Sequence, residues 1–413
     1  MAEPLPFPAL HASHAGIWLA TPDGETRTLG RGEAVRLVAD TPAIILGAPI
    51  IGQRLGYPDL SGLDLLELFA FVHPARFAVP TPRGLAAALA FARTGAHVTV
   101  FEQAPELREF GAGLQITPNG GAVLKALGLD AAAAARSVRG AAVVPSDALT
   151  GREVARFDLS RLGGVPYRFF HRGDLLEILA EGCREVGVAI RTGVRIGEVD
   201  PQLGTVSIAG GETHSFDLVV GADGLHSVLR PLLNGADKPY FTGQVAWRAI
   251  VDAPEAAPEA RIWMAPGRHI VTYPLAGGRL NVVAVQARQG WTDEGWNHAD
   301  DPANLRAAFA DCAAVIRDML AKVEEVRLWG LFRHPVASNW QTGRAAILGD
   351  AAHPTLPFLA QGANLALEDA YVLARECNRV PDLGAALTAY EFARQTRVRK
   401  AIAAANGNAV NYH

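Results

Sequence analysis

A short stretch near the carboxyl end, residues 345–369, limits the possible folds more than any other part of the sequence. Its apolar run at 345–348 is typical of a strand buried on both faces of a parallel sheet. The run ends at Gly349 and Asp350, a proline-containing loop follows, and a helix is predicted to begin near Gly362. Because a strand-end carboxylate accepts hydrogen bonds from hydroxyls and a helix amino terminus attracts negative charge, this unit suits a nucleotide cofactor, in particular a reduced flavin.

Two earlier strand ends carry the same kind of acid. The strand predicted at 97–101 ends in Glu102, and Gly84 lies 18 residues earlier, where the last glycine of a GxGxxG loop would fall. Between them an Ala/Leu-rich helix is predicted at 85–93, with Gly95 closing it. A second buried run leads into a tight turn with Asp223 at its tip. Taken alone, Glu102 is equally well explained as a solvated acid after a strand, and Asp223 is better explained as a simple strand-end turn. The ordered recurrence of Glu102, Asp223 and Asp350 predicts an α/β fold with a Rossmann-like sheet.

The residues between the second and third acids follow a different pattern. The runs at 244–250, 269–273 and 280–285 alternate between apolar and polar residues, which is typical of an antiparallel sheet with one covered face. We therefore expect an α+β insertion, a mixed or antiparallel substrate domain, to interrupt the nucleotide-binding domain. The predicted division is an amino-terminal segment (1–83), a first nucleotide-binding part (84–235), the β-sheet domain (236–335) and a second nucleotide-binding part with a long closing helix (336–413).

Short motifs spread over residues 84–413 carry a family resemblance. They are Arg108 with the glycine loop 111–114, the run 167–172 before Asp174, Asp223-Gly224, Trp247-Arg248, Tyr273-Pro274 and Gly349-Asp350. By these motifs the segment resembles the single-component, FAD-dependent aromatic hydroxylases, and most of all their salicylate and 3-hydroxybenzoate hydroxylase branch. The resemblance implies bound FAD, reduction by NAD(P)H, and a flavin hydroperoxide that hydroxylates a small phenolic or carboxylated ring with O2.

The same resemblance assigns roles to individual residues. The implied cofactor-binding residues are Gly84, Glu102, Arg108, Arg172, Asp223, Gly349, Asp350, Gly362, Ala363 and Asn364. The two arginines would contact FAD phosphate or ribose, and Asn364 would lie near the ring carbonyls. Pro357 would lie beside the reacting flavin edge, and His353 is a candidate acid–base group, although a histidine in a motif loop is more often structural. Arg248 and Tyr273 are candidate substrate residues, and no metal site is predicted.

The glycine loop expected ahead of Gly84 is missing. Counting back, its first two glycines would fall at Val79 and Thr81, and prolines occupy positions 80 and 82. A side chain at the second glycine position would crowd the pyrophosphate, and a proline has no N–H to donate to it. Two readings remain open: an active hydroxylase, or a catalytically impaired, flavoprotein-like fusion that binds FAD weakly.

Residues 1–83 have a character of their own. Strands are predicted at 14–20 and 43–46, and helical spacing runs from 63 to 72. The segment resembles the amino-terminal segment of certain bacterial ATP-dependent DNA helicases, which leaves a DNA-associated module as a further alternative; the resemblance rests on residues 11–18, 52–64 and 72–82. Six Arg and no Lys stand against eight acidic residues there, so no electrostatic footprint for DNA is expected.

The overall composition narrows the partners. The net charge of −4 argues against a chain built to hold nucleic acid or an anionic membrane. No apolar run is long enough for a transmembrane helix, and the first residues lack the basic start and apolar stretch of a signal peptide, so neither is expected. The three cysteines are too far apart for a metal pair. We expect a cytoplasmic monomer or homodimer whose partners are a small aromatic substrate, O2 and NAD(P)H.

Overall fold

The computed structural model gives the chain a mixed α/β fold. It describes residues 9–13, 16–20, 25–40, 44–45, 63–64, 82–107, 113–161, 163–236, 239–288, 298–355 and 360–410. The helices in these ranges are α1 (Arg31–Asp40), α2 (Pro82–Arg93), α3 (Pro118–Ala126), α4 (Asp130–Ala135), α5 (Arg172–Glu185), α6 (Arg230–Asn234), α7 (Pro302–Ala308), α8 (Ala314–Ala321), α9 (Gln361–Arg379) and α10 (Leu383–Val410).

The strands form one large sheet and several small ones. They are β1 (Ala9–Ser13), β2 (Gly16–Ala20), β3 (Thr26–Thr28), β4 (Ile44–Ile45), β5 (Leu63–Asp64), β6 (Thr99–Phe101), β7 (Gly113–Ile116), β8 (Ser137–Arg139), β9 (Ala142–Asp147), β10 (Phe157–Asp158), β11 (Arg168–His171), β12 (Ala189–Arg191), β13 (Ile196–Asp200), β14 (Thr205–Ile208), β15 (Thr213–Ser215), β16 (Val219–Gly221), β17 (Tyr240–Asp252), β18 (Glu259–Ala265), β19 (Arg268–Leu275), β20 (Arg279–Ala287), β21 (His298–Asp300), β22 (Val326–Arg333), β23 (Gln341–Thr342) and β24 (Ala345–Ile347).

Parallel pairs of short strands make up the nucleotide-binding part, as the sequence predicts. β6 pairs with β12, and β16 pairs with β24, in both cases in parallel. α2 lies ahead of β6 and buries its Ala/Leu-rich face, including Leu85 and Leu89, in the core of this domain. Alanine and leucine favour a helix, and Gly95 ends the turn after it with a φ of +94°, so the predicted helix and its glycine terminus are confirmed.

Within the described residues this sheet lies in two parts. One part has the order β12-β6 and the other β16-β24-β23. The central strand β24 is fully buried, as predicted, but Val219 and Val220 of β16 are only half-buried. The prediction that both runs are buried on both faces is therefore wrong for β16, because this strand has a described neighbour on one side only.

The large sheet confirms the predicted antiparallel insertion. Its strand order is β10-β9-β18-β19-β20-β17-β22-β21, and β17, β19 and β20 contain the three alternating runs. On one face, Trp247 and Trp263 pack with residues of α7 and α8. On the other face, Tyr273 and Trp329 share a core with Phe169 of the small sheet β7-β11-β8. The sheet is therefore covered on both faces, one by helices and one by the nucleotide-binding domain, so the expectation of a single covered face is wrong.

The two domains are joined more closely than the sequence pattern indicates. β9, which precedes the predicted insertion, enters the large sheet beside β18 in parallel register. The closing helix α10, predicted at 384–405, packs along α9, and its residues Tyr390, Arg394 and Val398 are buried. None of the described helices is long and apolar enough to cross a lipid bilayer.

The described parts of residues 1–83 form a small sheet with the order β3-β2-β1-β4-β5 and the helix α1. β2 and β4 confirm the two strands predicted there. The helix predicted from residue 63 is wrong at its start, because Leu63 pairs with Ile44 in a parallel ladder. A short apolar run does not distinguish a helix from a strand by spacing alone. Residues 65–72 of that prediction lie outside the described residues.

Candidate active site

Two of the three predicted acids follow neighbouring parallel strands. Asp223 comes after β16 and Asp350 after β24, and these strands pair directly. The backbone N–H of Leu348 also donates to the carbonyl of Gly221 at 3.1 Å, which carries the pairing up to the strand ends. Gly349 has a φ of +59°, a conformation that favours glycine and turns the chain sharply at this edge. The carboxyl ends of the strands are where ligands bind in such sheets.

Asp223 has one oxygen engaged and one without a partner. Its Oδ2 accepts the backbone N–H of Val228 at 2.7 Å. Its Oδ1 is buried and has no hydrogen-bond partner within the described part of the chain. Burial raises the pKa of Asp223, although hydrogen bonds from Ser227 and from backbone groups oppose that rise. A buried carboxylate oxygen with nothing bonded to it is matched by a ligand that brings a donor.

Helix α2 lies beside the Asp223 turn, and Glu102 is the remaining predicted acid. A Cβ on Gly84 of α2 would lie 3.3 Å from the Cβ of Ala222, next to Asp223, so this position requires a close approach of helix and strand. Glu102 follows β6, is 8% exposed, and accepts the backbone N–H of Ala104 at 2.7 Å. Glu102 is therefore a strand-end carboxylate in a buried setting, as predicted, with its direction held by the backbone.

The structure covers most of the other predicted cofactor residues. Arg172 begins α5 and is buried, with 5% exposure. Gly362 and Ala363 lie half-exposed in the first turn of α9, where backbone N–H groups have no partner within the helix. Arg108 and Pro357 lie outside the described residues, so their predicted roles stay predictions.

Asn364 is fully buried, and its side chain is engaged by the protein itself. Its Oδ1 accepts the backbone N–H of Thr117 at 3.1 Å. Its Nδ2 donates to the carbonyl of Gln115 at 3.1 Å and also to the carbonyl of Ala360. Asn364 thereby joins the start of α9 to the end of β7. Both of its amide protons are used in this way, which favours a positioning role over direct contact with a flavin ring.

Tight packing against Asn364 makes a first prediction. A Cβ on Gly120 of α3 would lie 2.0 Å from Asn364 Oδ1, and that oxygen is held by Thr117. We expect Gly120→Ala to lower the free energy of unfolding by about 1–3 kcal/mol, despite the better helix propensity of alanine. The control is Gly163→Ala, where nothing lies within 4 Å of the new Cβ. Equal stability of the two variants in urea unfolding would contradict the contact.

His353 belongs to a buried ion network beneath the Gly349 turn. Its Nε2 contacts Asp369 Oδ2, and its ring stacks on Trp340 with 5.1 Å between centroids. Asp369 also accepts the backbone N–H of Gly349 at 3.0 Å and the Nε of Arg394 at 2.7 Å. Burial by itself raises the pKa of Asp369, but the charges of His353 and Arg394 outweigh it and lower this pKa to about 2. The network ties the turn to α9 and α10.

Two positioning residues were missed by the sequence reasoning. Asp369 is one, and Arg230 is the other: it donates to the carbonyls of Ala351, Ala352 and Pro335 at 2.8, 3.1 and 2.7 Å. Arg230 thus fixes the segment that follows Gly349. The position of Arg230 in the sequence could have drawn attention to it, because it follows the Asp223 turn by seven residues. No sequence signal links Asp369 to the histidine 16 residues before it.

The two predicted substrate residues share one face of the large sheet. The guanidinium carbon of Arg248 lies 4.8 Å from the centre of the Trp329 ring. The ring of Tyr273 lies 5.2 Å from that of Phe169 on the opposing small sheet. Burial raises the pKa of Tyr273 well above its usual range, while the charge of Arg248 works in the opposite direction. A cation and buried aromatic rings therefore line the face toward the nucleotide-binding domain.

Together these features define a dinucleotide-binding protein with an attached β-sheet domain. Three features fit the hydroxyl-rich chain of FAD: buried strand-end carboxylates, an Asp223 oxygen that bonds to none of the described residues, and a close helix–strand contact at Gly84. The model of the FAD binding domain family matches residues 80–405. The chain belongs to this family of FAD-binding proteins.

Characterised relatives share most of the chain. A 3-amino-4-hydroxybenzoate 2-monooxygenase, PtmB3 of Streptomyces platensis, is 37% identical over 332 residues, which are 77% of this chain and 83% of the relative. A 3-hydroxybenzoate 6-hydroxylase of Aquipseudomonas alcaligenes is 33% identical over 334 residues, 76% of this chain and 84% of the relative. These relatives confirm the aromatic hydroxylase resemblance. The helicase resemblance of residues 1–83 is not shown by any of these matches.

A solved structure shows the same fold. Klebsiella pneumoniae HpxO, crystallised with FAD and uric acid, superposes with a TM-score of 0.72 at 26% sequence identity. The match covers 81% of this chain and 87% of that one. The predicted fold class, an α/β FAD-binding domain with a mixed β-sheet domain, is confirmed.

Proposed function

We propose that this chain is an FAD-dependent monooxygenase that hydroxylates a small phenolic or carboxylated aromatic ring, using NAD(P)H and O2. The observation that carries the proposal is the junction of two surfaces. Strand-end carboxylates suited to FAD lie at one edge of the nucleotide-binding strands, and an aromatic face with one arginine covers the same domain. The relatives named above act on hydroxybenzoates, which are rings of this kind.

The proposed cofactor contacts follow from residue chemistry. Glu102, Asp223 and Asp350 supply carboxylates for ribose and ribityl hydroxyls, and Arg172 supplies positive charge for the phosphates. A flavin can approach the backbone closely at three places: Gly84, Gly349, and the first turn of α9 at Gly362 and Ala363. Bound FAD would supply the redox chemistry and the activation of O2.

Residues of the chain itself bind and orient the substrate and exclude water from it. Arg248 attracts and orients an anionic group on the ring, and Tyr273 stays a neutral phenol because burial disfavours its ionised form. The apolar face that includes Phe169 excludes water from the reacting ring. His353 was predicted as an acid–base candidate; its complete burial and its contact with Asp369 support a positioning role instead.

The organisation of the chain follows from the same proposal. We assign FAD binding to residues 84–235 and 336–413, and substrate binding to residues 236–335 with β9 and β10 added to that sheet. Residues 1–83, with their helicase-like motifs, receive no role in the reaction. A cytoplasmic monomer or homodimer remains our expectation for the assembled protein.

Reconstitution with FAD tests the proposal. The purified chain is incubated with excess FAD, and oxidation of NADH or NADPH is followed at low concentrations of 3-hydroxybenzoate and related rings. We expect oxidation that depends on FAD and rises at least severalfold with one of these rings. Oxidation that is indifferent to every ring would contradict the proposal.

Arg248 provides a sharper test of the substrate role. Losing a charge-assisted hydrogen bond costs roughly 1.5–3 kcal/mol, so Arg248→Ala should weaken binding of a carboxylated ring about ten- to a hundredfold. The matched control is Arg261→Ala, because Arg261 also lies over a tryptophan ring, 5.6 Å from the centre of Trp263, on the opposite face of the sheet. Equal Kd values for the two variants would withdraw the role.

A further inference from the structure

Two buried carboxamides lie on the two sheets that meet at the junction between the domains. Gln115 of β7 is 2% exposed, and Asn281 of β20 is 1% exposed. In the small sheet Gln115 is the register partner of Phe169, and in the large sheet Asn281 is the register partner of Tyr273. Because the Phe169 and Tyr273 rings lie 5.2 Å apart, the two amides flank one aromatic contact.

The orientation of the Asn281 amide is fixed by the backbone. Its Oδ1 accepts the N–H of Gly113 at 2.7 Å. A backbone N–H is a donor only, so the oxygen of the amide must face Gly113 and the Nδ2 must face away. This Nδ2 is buried and has no hydrogen-bond partner among the residues that the structure describes. There is no space for a side chain at Gly113, where a Cβ would lie 2.8 Å from the Asn281 Cγ.

Gln115 is held in a similar way. Its Oε1 accepts the hydroxyl of Tyr167, which leaves its Nε2 buried and likewise without a partner in the described ranges. A buried donor without a partner costs about 1–3 kcal/mol, and native structures retain only a few such groups. The Asn281 N–H is therefore oriented by a donor-only group before any ligand arrives, and the Gln115 N–H is the end of its amide turned away from the Tyr167 hydroxyl.

We infer that Gln115 Nε2 and Asn281 Nδ2 are specificity-determining donors for an acceptor on the aromatic substrate. The inference rests on the proposed function and narrows it. A carboxylate, phenolate or carbonyl oxygen on the ring satisfies both donors, and a ring that carries only hydrocarbon substituents leaves them without partners. These neutral donors act in addition to the charge of Arg248. A site that forms hydrogen bonds to a substrate oxygen rejects analogues that lack this oxygen.

Amide-to-acid substitutions test this inference with little change of shape. Asn281→Asp retains an oxygen for the Gly113 N–H, and Gln115→Glu retains one for Tyr167, but each replaces the free N–H with an oxygen. The FAD-loaded proteins are titrated with 3-hydroxybenzoate by calorimetry and by tryptophan fluorescence. We expect each variant to bind at least tenfold more weakly. The control is Gln286→Glu, on the same strand as Asn281 but on the opposite face of the sheet, which should bind as the unaltered protein does.

The unaltered protein provides a measurement that does not depend on any variant folding. It should bind acetophenone at least tenfold more tightly than ethylbenzene, because the two differ chiefly in one carbonyl oxygen. Equal binding of these two rings, unchanged Kd values in both variants, or no binding of any probe would overturn the inference. The proposed function fails separately, if the unaltered protein binds 3-hydroxybenzoate-like rings and never hydroxylates one.

Discussion

Replacing residues 79–83 with Gly-Ala-Gly-Ile-Gly is expected to tighten FAD binding by two or more orders of magnitude. The reason lies at the start of α2, which begins at Pro82. A proline there has no N–H, so the helix has one donor fewer to offer a phosphate, and Pro80 removes another. Losing about two charge-assisted hydrogen bonds, at roughly 1.5–3 kcal/mol each, accounts for an effect of that size.

The remaining contacts explain why binding should be weakened and not abolished. Under the proposed function, the groups that would still bind the ribose, the ribityl chain and the ring are Glu102, Asp350 and the first turn of α9. The amino terminus of α2 still contributes about 0.3–1 kcal/mol of favourable field on an anion. Fluorescence titration of both proteins with FAD measures the difference. Tight, stoichiometric binding by the unaltered chain would show that the proline-rich segment leaves the pyrophosphate enough room.

Removing the charge of Asp369 is expected to destabilise the fold by about 3–5 kcal/mol, the usual cost of breaking a buried ion pair. In Asp369→Asn, the buried guanidinium of Arg394 and the ring of His353 lose the carboxylate that both contact. The Gly349 turn is held by the same carboxylate, so the variant should bind FAD less well even when folded.

Urea unfolding and FAD titration of the same variant separate these two effects. The matched control is Asp311→Asn, which removes an exposed acid that pairs with Arg268 of the large sheet. Its unfolding midpoint and its FAD affinity should be unchanged, because solvent screens exposed pairs. If Asp369→Asn were as stable as this control, Asp369 would not be the residue that anchors the turn.

Local patterns in the sequence were enough to predict several of the main elements of the fold. A pattern of about ten residues is enough to recognise each of them. They are the helix that the structure places at 82–93, the short strands ahead of Glu102 and Asp223, and the alternating strands of the large sheet. The acids were found for the same reason, since each follows its strand directly. β9 was not expected in the large sheet, because strand pairing across more than a hundred residues leaves no periodic trace.

The supporting contacts of the site could not be predicted in this way. Asn281 reaches Gly113 across 168 residues, and Asn364 reaches Thr117 across 247. These hydrogen-bond partners are determined by how whole domains pack together. A local sequence pattern contains no information about that packing. His353 shows the consequence: its place in a motif loop suggested acid–base chemistry, and only the buried Asp369 beside it points to positioning.

The origin of the oxygen atom in the product tests the central claim most directly. The chain is saturated with FAD and incubated with NAD(P)H, isotopically labelled O2, and either 3-hydroxybenzoate or a related ring. The masses of the products are then measured by mass spectrometry. If the chain is a monooxygenase, we expect a hydroxylated ring that carries one labelled oxygen atom for each NAD(P)H used in coupled turnover. Unlabelled product, or no hydroxylated product from either the unaltered chain or the glycine-loop variant with FAD bound, would contradict the account.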